Sequence, residues 1–219
     1  MENIEILKNS KSPNSWEIIV GDQATALLKR QNKLSVDEKE TLISESIDLL
    51  SNCCNPTGGD CNNTGLAIGY VQSGKTLSFT TVTALAKDNG FKIVIVLAGI
   101  GNNLLNQTTF RLKGDLLADS VNSGKYKIHE NPDRETDDHK AISRSLRLSD
   151  KPLIVITVLK HYQRVNKLMN VLESNEVKKY LGQGAVLIID DEADQASLNT
   201  LARKNSKAAD WEDEKYSST

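Results

Sequence analysis

The stretch GYVQSGKT, Gly69 to Thr76, decides how this chain is read. It fits the spacing G-x-x-x-x-G-K-[ST] in full, with Gly69, Gly74, Lys75 and Thr76 at the fixed positions. Glycine lets a backbone approach an anion closely, because no Cβ stands in the way. The N–H groups of such a loop, those of Gln72 and Ser73 among them, join the start of a following helix to make an anion hole. Lys75 is spaced to reach the β- and γ-phosphates of a nucleotide, and Thr76 to place its hydroxyl on Mg²⁺. The alternative is a glycine-containing turn that carries a surface lysine. A strand before the loop and a helix after it favour the phosphate cradle.

The flanks supply that context. GLAIGYV (65–71) reads as a short strand, and residues 75–88 read as a helix that stops at Asn89-Gly90. KIVIVLAG (92–99), PLIVITVL (152–159) and AVLIID (185–190) are almost continuously apolar, as strands buried on both faces are. Helices are expected at 102–118 and 139–148, from Lys160 to Leu181 in one or two pieces, and at 192–204. Residues 122–138 are polar, with a weak strand candidate at KYKIHE. This alternation predicts an α/β fold, a parallel sheet with helices on both faces.

Ahead of the loop, Ser35 and Glu38 form a capping-box pair, and Leu42, Ile43, Ile47 and Leu50 recur at helical spacing. Another helix is expected between Trp16 and Arg30. NCCNPTGGDCNNTG is a loop by composition. The expected organisation is a helical extension and loop over 1–62, a nucleotide-binding domain over 63–205, and a polar acidic tail over 206–219.

Bulk composition narrows the classes. Lysine plus arginine total 27 against 29 aspartate plus glutamate, a formal net charge of −2, which carries no basic footprint of nucleic-acid binding. No apolar run approaches the ~18 residues that cross a bilayer, and the N-terminus has no apolar signal-peptide core, so no membrane partner and a cytoplasmic location are expected. Cys53, Cys54 and Cys61 are odd in number. In a cytosolic chain that argues against a disulfide framework, and three thiols without a nearby histidine are one ligand short of a closed zinc site. Reduced loop cysteines are the expectation, with a zinc site completed by another segment or chain as the alternative.

VLIIDDEADQAS (186–197) supplies the second half of the test. An apolar run delivers carboxylates to the C-terminal end of a buried strand, where ligands bind in open α/β sheets. Asp191 is placed to hold Mg²⁺ directly or through water. Glu192 is placed to orient or deprotonate an attacking water. Acidic residues also favour a plain helix start, but that does not explain their pairing with the glycine loop. Two strand-and-helix units separate Lys75 from Asp191, more room than small nucleotide kinases and GTPases usually leave.

Asp191-Glu192-Ala193-Asp194 spells DEAD, and with the glycine loop it resembles the first RecA-like domain of a superfamily 2 helicase. More closely, GYVQSGKT with IIDDEADQASLNT resembles the ATPase region of the Z1-domain proteins, prokaryotic proteins described as endonucleases and associated with restriction or phage-defence loci. The resemblance covers approximately residues 65–200. It implies a RecA-like P-loop NTPase with ATP and Mg²⁺ as cofactors. Lys75 and Thr76 would match the phosphate and metal positions, and Asp191 and Glu192 the metal and water positions. Asn102, Asn103 and Gln107 fall where such motors contact nucleic acid. Thr157, Lys160 and His161 fall at another strand-end motif, and Asp194 and Gln195 at a coupling position. Such motors take a second RecA-like domain, in cis or from a partner chain, whose arginines complete the ATP site. Arg203 does not match that role. The sequence stops at Thr219 without a second glycine loop, so weak activity of the isolated chain is expected, with nucleic acid, DNA foremost, engaged by the whole protein. The alternative is a nucleotide-binding switch module that regulates a partner without turnover of its own.

Overall fold

Three short apolar runs have nowhere to go but a shared interior, and with the polar segment YKIHE they pair as one parallel sheet. The computed structural model describes residues 16–59, 61–67, 75–191 and 193, with the side chains of Lys75 and Thr76 outside that description. Its strands are β1 (Ile93–Ala98), β2 (Tyr126–Glu130), β3 (Leu153–Val158) and β4 (Val186–Asp191), in the order β2-β3-β1-β4. Every pairing is parallel, so all four carboxyl ends lie along one edge.

The helices are α1 (Asp22–Arg30), α2 (Val36–Ser51), α3 (Lys75–Asp88), α4 (Asn102–Leu116), α5 (Asp138–Leu146), α6 (Tyr162–Leu172) and α7 (Asn175–Leu181). They cover both faces. Val94, Val96, Val155 and Leu187 pack with Phe79, Val82 and Leu85 of α3 and Leu112 and Leu116 of α4. Ile93, Ile95, Ile154, Ile156 and Val158 pack with Ile142, Leu168, Val171 and Val177 of α5 to α7. Strand alternation, which sends successive side chains to opposite faces, produces this division.

The helical extension shares the first of these cores: Ala24, Leu27 and Leu50 are buried against the same cluster. Its attachment is specific. Asp88, in the last turn of α3, accepts the N–H groups of Gly21, Gln23 and Ala24 at 3.1, 3.1 and 2.9 Å. It thus caps α1 from outside, and Trp16–Val20 run irregularly where the sequence suggests helix. The Ser35–Glu38 capping box at the start of α2 forms as the sequence predicts.

Two further expectations meet a different outcome. Residues 65–67 are not in a strand and Leu66 is 62% exposed; residues 68–71 lie outside the described residues, as does the expected helix at 192–204 except for Ala193. Cys54 and Cys61 form a disulfide, leaving Cys53 as a free thiol, in place of three reduced cysteines. The odd count misleads because the turn at Asn55–Gly58 brings one local pair to a Cα separation of 5.7 Å. Burial raises the Cys53 thiol above its usual range.

Candidate active site at the carboxyl edge of the sheet

The start of α3 is brought to this edge by the way the helix ends. Gly90 takes φ +87°, the N–H of Gly90 donates to the Lys87 carbonyl at 3.3 Å, and that of Phe91 donates to the Ala86 carbonyl at 3.0 Å. This left-handed glycine stop reverses the chain, so α3 runs antiparallel to β1. Fourteen helical residues rise about 21 Å. Six strand residues rise about 20 Å. Lys75, the first residue of α3, is therefore level with the carboxyl ends of the strands.

Alternation then decides which carboxylate shares the face of α3. Asp191 pairs in register with Ala98, and Leu187, Ile189 and Asp191 follow one another on the face that α3 and α4 cover. Asp190 pairs in register with Leu97 and falls on the opposite face, that of α5 to α7. The two adjacent aspartates are thus not equivalent.

Lys160, two residues beyond the end of β3, joins this edge. Its N–H donates to the Gly99 carbonyl at 2.8 Å, and its Nζ lies 2.8 Å from Asp190 Oδ1. The lysine side chain is only 10% exposed and the aspartate 35%. Neighbouring Asn131, at φ +45°, accepts the Leu159 N–H on Oδ1 at 3.0 Å and donates its own N–H to the Thr157 carbonyl at 2.8 Å. The turn after β3 is therefore held from two sides.

The remaining sequence candidates separate. Asn102, Asn103 and Gln107 are exposed along the first turns of α4, which opens after Gly99 (φ +61°) and the N-cap Gly101. Thr157, a candidate for backbone contact or coupling, is fully buried, and its hydroxyl shares a 2.7 Å hydrogen bond with that of Thr109 on α4, which leaves it no external contact. His161 is the exposed N-cap of α6, its ring 5.0 Å from that of Tyr162. Gly69, Gln72, Ser73, Gly74, Glu192, Asp194, Gln195 and Arg203 lie outside the described residues. Among the described residues no three histidine, cysteine or acidic side chains gather as a metal cage. A Mg²⁺ that keeps several waters and is shared with phosphate oxygens needs only one or two carboxylates, and Asp191 supplies a hard oxygen donor of that kind.

A second polar cluster lies beyond β2. Lys167 of α6 pairs with Asp133, and its hydrogen bond holds that carboxyl below its ordinary range. His129 faces Asp138 at 3.8 Å; burial lowers its pKa despite the carboxylate, which acts in the opposite direction.

Sequence reading missed two of these features. The Lys160–Asp190 bridge spans non-adjacent strands, and no local pattern announces it. Asn131 was foreshadowed only by the Asn131-Pro132 turn signal. No helix among the described residues is long and apolar enough to cross a membrane. In comparison with known proteins, no family model, no curated protein and no solved structure matches this chain.

Proposed function

We propose that this chain is the ATP-binding, Mg²⁺-dependent nucleoside-triphosphatase domain of a helicase-like nucleic-acid motor, RecA-like in fold and of the kind found in restriction or phage-defence proteins. One observation carries the reading. The parallel sheet sends Asp191 to its carboxyl edge on the same face as α3, whose first residue is Lys75 of the glycine loop. A turn with an incidental lysine would not require an acidic strand end on that face.

In this reading the amides of Gly69 to Gly74 and the ammonium of Lys75 hold the phosphates. Thr76 and Asp191 would hold Mg²⁺, which would supply neutralisation of the phosphate charge. Glu192 orients and deprotonates the attacking water. Asn102, Asn103 and Gln107 belong to the nucleic-acid side, where amide side chains meet phosphate oxygens. An arginine from a second RecA-like domain or a partner chain completes the transition-state charge; such a residue is worth ~10³ to 10⁵ in rate.

The test is ATP hydrolysis by the protein and its partner-complete form, with and without DNA. Glu192→Gln keeps the size of the side chain and removes the base, so turnover should fall by roughly two to four orders of magnitude while ATP still binds. Equal turnover in parent and variant would remove Glu192 from the mechanism. Binding without turnover in either form would favour a nucleotide-dependent switch.

A further inference from the structure

Lys160 follows the end of β3 by two residues and Asp190 is on β4, with β1 between the two strands. Two inter-strand spacings amount to about 9.6 Å, which a short side chain cannot cross. The lysine stem makes the crossing over the end of β1, and the same residue's N–H holds the Gly99 carbonyl there. One residue therefore links three strand ends. Its ammonium is mostly buried, and a buried ion pair is weak evidence of stabilisation in itself. The placement suggests another use. Asp190 and Asp191 are consecutive, and an unheld Asp190, though on the opposite face, would add a second negative charge to the strand end where a cation and a polyanion are to meet.

We propose that Lys160 is the positioning residue of this acidic edge. By pairing with Asp190 on the face away from α3, it offsets one negative charge at the end of β4, so that the edge takes a polyanion together with the divalent cation that Asp191 would hold. This inference rests on the nucleotide-binding reading above and adds to it a residue that neither touches substrate nor belongs to the glycine loop.

The proposal predicts effects of opposite sign. In Lys160→Met the edge is one unit more negative. Mn²⁺ alone, followed by the electron-paramagnetic signal of the free ion, should bind about threefold to tenfold more tightly. A non-hydrolysable ATP analogue without metal should bind more weakly by a similar factor, as one unit charge about 10 Å away dictates at intermediate permittivity. Asp190→Asn should move both affinities the other way. The double variant Lys160→Met/Asp190→Asn should return both close to the parent, and Lys160→Arg should leave both near the parent. A merely structural pair would weaken both ligands together or neither.

If the parent binds both probes and the Lys160 variants shift neither, or if both affinities fall together without recovery in the double variant, the positioning role is wrong while the nucleotide reading stands. If the parent binds neither probe, the nucleotide reading fails and this inference falls with it.

Discussion

His129 sits on β2 with a mostly buried ring, its Nδ1 3.8 Å from Asp138 Oδ1. Burial disfavours the imidazolium more than the nearby carboxylate favours it, so the folded-state pKa lies below the ordinary value of ~6.5. The unfolded chain then binds the proton first as pH falls. The stability associated with a neutral His129 is complete above pH ~6.5 and declines as pH falls from there towards the depressed folded pKa. His129→Gln cannot take up that proton, so urea denaturation at pH ~7.5 and ~5.5 should show a smaller loss in the variant than in the parent. An equal loss in both would mean that His129 is not the titrating group. Residue-level chemistry of this kind was poorly legible in the sequence, because the shift depends on what folds over the ring. Asp191 was legible, since an apolar run ending in carboxylates marks a strand end by itself. Asp190 was not separated from it until the registers Leu97↔Asp190 and Ala98↔Asp191 assigned them to opposite faces.

At the level of elements, Asp88 shows one helix end organising another. A carboxylate in the last turn of a helix opposes the helix dipole. Here it satisfies three N–H groups at the start of α1. Close packing accompanies this arrangement: a Cβ at Gly21 would stand 2.7 Å from Asp88 Cγ. Asp88→Ala should cost about 2–3 kcal/mol in urea denaturation, the scale of a lost cap together with donors left without an acceptor, and Asp88→Asn should cost less. A loss under about 0.5 kcal/mol, the usual range of an unremarkable surface change, would contradict the capping role. The strands β1, β3 and β4 were readable because continuous β-branched runs belong in parallel sheets. Only β1 and β3 are buried on both faces; β4 leaves Val186 and Ile188 exposed among the described residues, against the expectation of burial on both sides. The α2 cap was readable because its box is local. Where a contact that no local pattern announces decides the outcome, the sequence did not show it. The start of α1 depends on Asp88, and the pairing of Cys54 with Cys61 depends on a turn whose reach the cysteine count does not show.

For the whole molecule, the sheet order places β4 beside β1, and the exposed face of β4 carries Ile188 at 61% exposure. Parallel order gathers every carboxyl end at one edge, and that architecture sets the start of α3 level with the acidic end of β4. Strands β1, β3 and β4 and most of the described helices were legible from periodicity, β2 only weakly, and the expected strand at 65–71 does not form over 65–67. The roles of Lys75, Thr76 and Glu192 rest on motif spacing, as their side chains lie outside the described residues. The most direct test of the account is calorimetric titration of Mg²⁺·ATP into the parent protein, Lys75→Ala and Asp191→Asn, each first shown by circular dichroism to be folded. The account predicts saturable 1:1 binding by the parent. Lys75→Ala should lose most of that affinity with or without Mg²⁺, because it removes a cation from the phosphates. Asp191→Asn should lose chiefly the Mg²⁺-dependent part. Unchanged Mg²⁺·ATP affinity in a folded Lys75→Ala protein would contradict the account, for the loop would then not be the phosphate site.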